Sequence, residues 1–189
     1  MIVILVLCGA TATGKDTLKK ELLKLGMDSV VCSTTRPMRD GEIPDVTYHY
    51  LTEEEFKDNE SKGLFAETVS YDTVHGKWYY GSAYEDLERH ENKVIILNPD
   101  GIKTFSEKVD MSDWLVIHVT CPEDIMKSRL CKRGDNPEEV ERRLEADKKD
   151  FMNINRFVDV NIVNDGSKTP EQLAHNIKLL YDRHMKGNK

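Results

Sequence analysis

Lys15 closes the run Gly9-Ala10-Thr11-Ala12-Thr13-Gly14-Lys15, which follows an apolar stretch at residues 2–8 and opens a helical pattern at 15–25. Glycines let a backbone fold its N–H groups inward, a helix N-terminus adds partial positive charge, and the lysine supplies a mobile cation. A strand before and a helix after are the context that a phosphate-binding loop requires, so these seven residues are candidates to hold the phosphates of a nucleoside triphosphate. The strict pattern breaks at Asp16, where a Ser or Thr hydroxyl would reach Mg²⁺, and Thr17 keeps a hydroxyl one residue on. A carboxylate beside a polyphosphate is repelled unless a metal lies between them. Asp16 therefore either helps hold the magnesium or turns to solvent as a favourable first-turn acid.

A second anion site is suggested by "STTRPMRDGE" at residues 33–42, where Arg36 and Arg39 stand three apart in a segment with Pro37 and Gly41. Two guanidinium forks converging on one anion suit a phosphate monoester. Two exposed arginines alone would be ordinary surface charge; beside a phosphate loop they read as a phosphate acceptor facing a phosphate donor.

These residues need a scaffold, and the 189-residue chain is long enough for one sizeable core. Apolar runs rich in Val and Ile at 2–8, 29–33, 93–97, 114–119 and 158–163 predict strands buried on both faces, hence a parallel sheet. Helical patterns at 15–25, 84–91, 101–109, 123–130, 137–155 and 170–185 alternate with them, which predicts a doubly wound α/β sandwich. Residues 34–83 break the rhythm with short alternating pieces around one helical stretch at 52–62, and read as a mixed insertion. Residues 131–143, charged and carrying Gly134 and Pro137, read as a mobile connection.

Composition bounds the partners. With 27 Lys plus Arg against 34 Asp plus Glu, a formal net charge of -7, a general nucleic-acid surface is not expected. Cys8, Cys32, Cys121 and Cys131 have neither zinc-ligand nor disulfide-framework spacing, and reduced thiols in a cytoplasmic protein fit them best. The run at 2–8 is too short to span a membrane and lacks the features of a signal peptide, so no membrane association is expected. Composition leaves monomer and homodimer equally open.

"GATATGKDTL", "STTRPMRDGE", Tyr48-His49-Tyr50, "LFAETV" around Glu67, "YYGS" at 79–82, "ILNPDG" at 96–101, "RLCKRG" at 129–134 and "IVND" at 162–165 follow one another over nearly the whole chain. In this order and spacing the chain resembles the guanylate kinase family, which transfers a phosphoryl group from ATP to GMP. The resemblance implies an α/β, P-loop three-layer sandwich with a parallel core sheet at about 1–33, 84–130 and 144–189. It also implies a mixed α+β NMP-binding insertion at about 34–83 and a helical lid at about 131–143, together with ATP and Mg²⁺. It implies that Arg36, Arg39, Glu42, Tyr48 and Tyr80 serve the acceptor phosphate and that Glu67, Ser82 and Asp100, with Cys32 at a serine position, read guanine. It places Arg129, Arg133 and Arg143 over the triphosphate, with Lys15 and Arg39, as catalytic cations, and Asn164 beside the adenine. A carboxylate at Glu67 is chemically apt, because guanine presents N1–H and N2–H donors as a pair and adenine does not. For Arg143 an i,i+4 surface pair with Glu139 is an equal explanation, as a strand-end turn is for Asn164.

The chain departs from the family pattern at four positions: Ala12 for a loop glycine, Asp16 for the magnesium hydroxyl, Cys32 for the serine, and Asn98 for an acid at a strand end. Asp16 and Asn98 together conserve local formal charge, so they read as one compensated arrangement around magnesium. "YDTVHGKW" is also longer than usual. The Gly-Lys-Asp loop with Asn98 resembles the ribose 1,5-bisphosphate phosphokinases, but the full Thr-Thr-Arg-Pro-x-Arg segment favours GMP. A non-catalytic binding domain of this fold is disfavoured by the retained Gly14, Lys15 and Thr17.

Overall fold

The computed structural model describes residues 4–73, 76–88 and 92–187. Strand β1 (Ile4–Cys8) is the centre of the sheet, and each of its five residues is 0% exposed, so it is covered on both faces. The order of the five core strands is β2 (Asp28–Ser29), β7 (Lys93–Ile96), β1, β8 (Leu115–Thr120) and β9 (Val160–Val163). Every pairing is parallel, as strands buried on both faces require.

Alternation along β1 divides the core into two layers. Leu5 and Leu7 join Leu18 and Leu22 of α1 (Lys15–Lys24) and Leu173, Ile177 and Tyr181 of α7 (Pro170–Gly187). Ile4, Val6 and Cys8 face the other way, toward Ile102 and Phe105 of α4 (Pro99–Lys108) and toward Trp114. The result is helix, sheet, helix, with the site at the carboxyl ends of the strands.

The second sheet has the order β4 (His49–Tyr50), β3 (Ser33–Thr34), β6 (Gly76–Ala83) and β5 (Phe65–Thr73), and it is mixed. Helix α2 (Glu53–Ser61) covers it through Phe56, which stacks on Phe65 at 4.6 Å. A capping box fixes where α2 starts: Thr52 accepts from the Glu55 N–H, and the Glu55 side chain accepts from the Thr52 N–H. Helix α3 (Tyr84–Glu88) returns the chain to the core, and α5 (Glu123–Lys132) and α6 (Pro137–Asp150) form a hairpin over the phosphate loop.

Two expected elements are corrected. The run at 29–33 is not one strand: its start pairs with β7 in the core sheet, and its end pairs with β4 and β6 in the second sheet. The helix expected over 137–155 stops at Asp150, and a 3₁₀ turn at Ile154–Phe157 buries Ile154 in the core. The starts of the expected strand at 2–8 and the end of the expected helix at 84–91 lie outside the described residues, as do residues 74 and 75 of the long hairpin. Among the described residues no helix is long and apolar enough to cross a membrane.

Candidate active site

The loop between β1 and α1 is shaped by close approach. A Cβ on Gly9 would lie 2.3 Å from the Val119 carbonyl oxygen, and one on Gly14, at φ +98°, 2.4 Å from the Asn164 Nδ2. Ala12 also holds a left-handed conformation, φ 56°. Its methyl packs with Leu130, Val140 and Leu144 beneath the α5–α6 hairpin, which explains a side chain where glycine is easier.

Two of the loop's donors, the Lys15 ammonium and the Thr11 N–H, are engaged from within the chain. Lys15 Nζ donates to the carbonyl oxygens of Gly9 at 2.6 Å and Ala10 at 2.7 Å, and lies 3.4 Å from Thr13 Oγ1. Burial pushes its ammonium pKa below the ordinary lysine value, against the pull of Asp16 and Asp147. The Thr11 N–H donates to Asp147 Oδ2 at 2.5 Å. Asp16 and Thr17 are exposed at the first turn of α1, and Asp16 lines the cleft.

Arg129 and Asn164 brace this loop. Arg129 donates to the Ala12 carbonyl at 3.0 Å and reaches the Asn164 carbonyl and Oδ1, both at 3.4 Å, while Asn164 Nδ2 donates to the Thr13 carbonyl at 2.8 Å. Arg143 does make the ion pair with Glu139, at 2.8 Å, yet it also faces the cleft. Arg133 is exposed at the end of α5 and does not line the cleft.

A cleft of about 380 Å³ runs from this loop to the second sheet, a size suited to nucleotide-scale ligands. Its far end is built by the β5–β6 hairpin, whose alternation aims Glu67, Val69, Tyr71 and Thr73 from one strand and Trp78 and Tyr80 from the other into it. Glu67 is 3% exposed; its Oε1 accepts from Ser82 Oγ at 2.8 Å, and its buried Oε2 has no hydrogen-bond partner among the described residues. Burial raises this carboxyl to about 7, with Ser82 and Lys108 opposing. Cys32 Sγ lies 3.4 Å from Ser82 Oγ, and burial pushes the thiol up to about 11, so it faces the cleft uncharged.

Arg36 is almost fully buried. Its Nη2 donates to both Glu42 oxygens, at 2.8 and 3.1 Å, and its guanidinium lies 5.5 Å from the Tyr48 ring centre. Glu42 also accepts from the Arg39 N–H at 2.7 Å and the Tyr50 hydroxyl at 2.8 Å. Burial alone would raise its pKa, but these donors outweigh it and bring the carboxyl to about 2. Glu42 thus orders the arginine segment, and the Arg39 side chain is exposed on the cleft wall. Tyr48 and Tyr80 meet edge-on at 6.2 Å, both lining the cleft.

Besides Arg133, the expected substrate residues Arg36, Glu42 and Ser82 do not line the cleft, and Asp100 and Asn98 also stand differently from expectation. Asp100, in the first turn of α4, is exposed and does not line the cleft. Asn98 does line it, but its amide is committed: Oδ1 caps α4 by accepting from the Gly101 N–H at 2.7 Å, and Nδ2 donates to the Tyr71 hydroxyl. Capping is a reason for an Asn here that is independent of Asp16. Residues not anticipated from sequence are Tyr71, Trp78, Arg142, Asp147 and Asp150. The period-two pattern from Glu67 and the three-to-four spacing of Glu139, Arg143, Asp147 and Asp150 were signals that could have found them.

The family model described as guanylate kinase matches residues 2–178. The guanylate kinase of Thermotoga maritima is 34% identical over 179 residues, covering 91% of this chain and 84% of that protein. The guanylate kinase of Bifidobacterium longum is 33% identical over 173 residues, 86% of each chain. The crystal structure of guanylate kinase from Anaplasma phagocytophilum shares the fold, with a TM-score of 0.73 at 24% identity over 96% of this chain and 85% of that one. A phosphate loop facing a buried, half-satisfied carboxylate across one cleft, on a sequence matched along nearly its whole length, places this chain in the guanylate kinase family.

Proposed function

We propose that this chain transfers the γ-phosphoryl group of ATP to GMP, giving ADP and GDP. The observation that carries the acceptor's identity is Glu67 Oε2, buried at the cleft's far end without a partner among the described residues. A buried polar atom left unpaired costs free energy, and guanine's N1–H and N2–H offer the donor pair that relieves it. Ser82 fixes the orientation of the carboxylate, and Arg39, in a segment that the Arg36–Glu42 pair orders from behind the cleft wall, takes the acceptor phosphate with Tyr48 and Tyr80.

On the donor side the loop N–H groups and Lys15 hold the triphosphate, while Arg129 and Asn164 keep the loop in shape and Arg143 approaches from the lid. An acceptor phosphate oxygen attacks the γ-phosphorus as the bond to the β–γ bridging oxygen breaks, and the cations meet the charge that develops. This chemistry is positioning and electrostatics, and it requires no covalent nucleophile. Among the described residues no three carboxylate, thiol or imidazole side chains gather as a metal cage. A bound magnesium ion would find the exposed Asp16 carboxylate on the cleft wall as a hard oxygen ligand. When bound, magnesium neutralises phosphate charge.

Separate titrations of donor and acceptor test the assignment. Lys15→Ala is expected to weaken ATP and spare GMP, and Arg39→Ala the reverse; an Arg39→Ala variant that loses only ATP would place the acceptor elsewhere. In turnover assays Asp16→Ser is expected to raise the magnesium required, and an unchanged magnesium dependence would remove Asp16 from that role.

A further inference from the structure

Two donors that a polyphosphate would use, the Lys15 ammonium and the Thr11 N–H, bond to the chain itself. The Lys15 ammonium donates to the Gly9 and Ala10 carbonyls at 2.6 and 2.7 Å, and the Thr11 N–H donates to Asp147 Oδ2 at 2.5 Å. Asp147 is 136 residues away in sequence, on the lid helix α6, and its carboxylate lies on the cleft wall beside Thr11 and Lys15. A carboxylate on a phosphate-loop N–H is chemically an anion in an anion site. The lid is held there by packing as well, since Ala12 of the loop contacts Val140 and Leu144 of the same helix.

We propose that Asp147 sets the affinity for the phosphate donor: its carboxylate takes the Thr11 N–H in the nucleotide-free protein, and the donor's polyphosphate displaces it on binding. This rests on the reading of the loop as the ATP site. Two anions cannot share one N–H donor, and their mutual repulsion adds to the competition. The apparent dissociation constant for the donor is the intrinsic one divided by the fraction of molecules whose loop is free, so a residue that occupies the loop weakens the donor by that factor. The same displacement weakens the hold of α6 on the loop, because the Thr11–Asp147 hydrogen bond is lost when phosphate arrives.

The opposite role is a positioning one, in which Asp147 holds Thr11 in the binding conformation and stays there when the donor is bound. The two roles predict opposite signs. Calorimetric titration with ATP and with inorganic tripolyphosphate, each in the presence of EDTA so that no metal bridges the anions, separates them. For wild type, Asp147→Asn and Asp147→Ala, the proposal expects tripolyphosphate to bind about tenfold more tightly to Asp147→Ala and a few-fold more tightly to Asp147→Asn, which keeps the acceptor oxygen and loses the charge. Asp147→Asn preserves shape, so it remains informative even if Asp147→Ala folds poorly. Unchanged or weaker binding in both variants, with wild type binding normally, would overturn the proposal and leave the donor site intact. Wild type that binds neither anion, or Lys15→Ala that binds both as well as wild type, would overturn the donor site and this proposal together.

Discussion

At the scale of single residues, the function proposed above makes the acceptor's identity turn on the charge of Glu67. Burial raises its carboxyl to about 7 against an ordinary 4.5, so between these values the folded protein holds a proton that the unfolded chain has released. Its contribution to stability is therefore fully present below about 4.5 and is lost as pH rises through about 7. Guanine asks for the opposite state, since two N–H donors require an ionised acceptor. GMP affinity is thus expected to increase from about pH 6 to pH 8, while ligand-free stability declines between about 4.5 and about 7 and levels off above that. Glu67→Gln should flatten both profiles and reduce GMP use by about tenfold to a hundredfold, the cost of turning a donor toward guanine's donors. Parallel pH series of GMP binding and thermal unfolding check this, and a GMP affinity that stays level across the range in wild type would contradict it.

At the scale of elements, the phosphate loop owes its shape to the strands and helices that crowd it. Gly14 has φ +98° and no room for a Cβ, because the Asn164 amide is 2.4 Å away, whereas Gly63 has φ +68° with nothing within 4 Å. Gly14→Ala and Gly63→Ala share the conformational penalty of about 1–2 kcal/mol, but only the first also displaces the Asn164 brace. Thermal unfolding is expected to fall further for Gly14→Ala, with ATP binding lost only there; equal effects would mean that close approach does not matter. Much of this was legible beforehand, since a Gly-rich run between an apolar strand and a helical pattern has few other uses. The division of residues 29–33 between two sheets was not legible, because Ser29 and Ser33 are extended in both and only partners distinguish them. Asp147 was hidden for a different reason: an acid on a charged helix looks like solvated surface until its 2.5 Å contact with Thr11 is known.

At the scale of the whole molecule, a parallel sheet presents the donor loop and a mixed sheet presents the acceptor wall, and one cleft of about 380 Å³ joins them. Val- and Ile-rich strands announced the first sheet. The second was visible only as a broken rhythm, and its period-two faces acquire meaning once β5 and β6 are paired through Glu67 and Ser82. The central claim is that this cleft brings ATP and GMP together. A ligand confined to the folded state raises the unfolding temperature by mass action, so each nucleotide is expected to stabilise the protein by itself. The most direct measurement is an ATP-dependent phosphoryl-transfer panel with GMP, dGMP, AMP, CMP, UMP and ribose 1,5-bisphosphate as acceptors. Transfer to the guanine nucleotides is expected far above that to the adenine and pyrimidine ones. Best use of ribose 1,5-bisphosphate, which has no base for Glu67 to read, or no transfer to GMP at all, would contradict it.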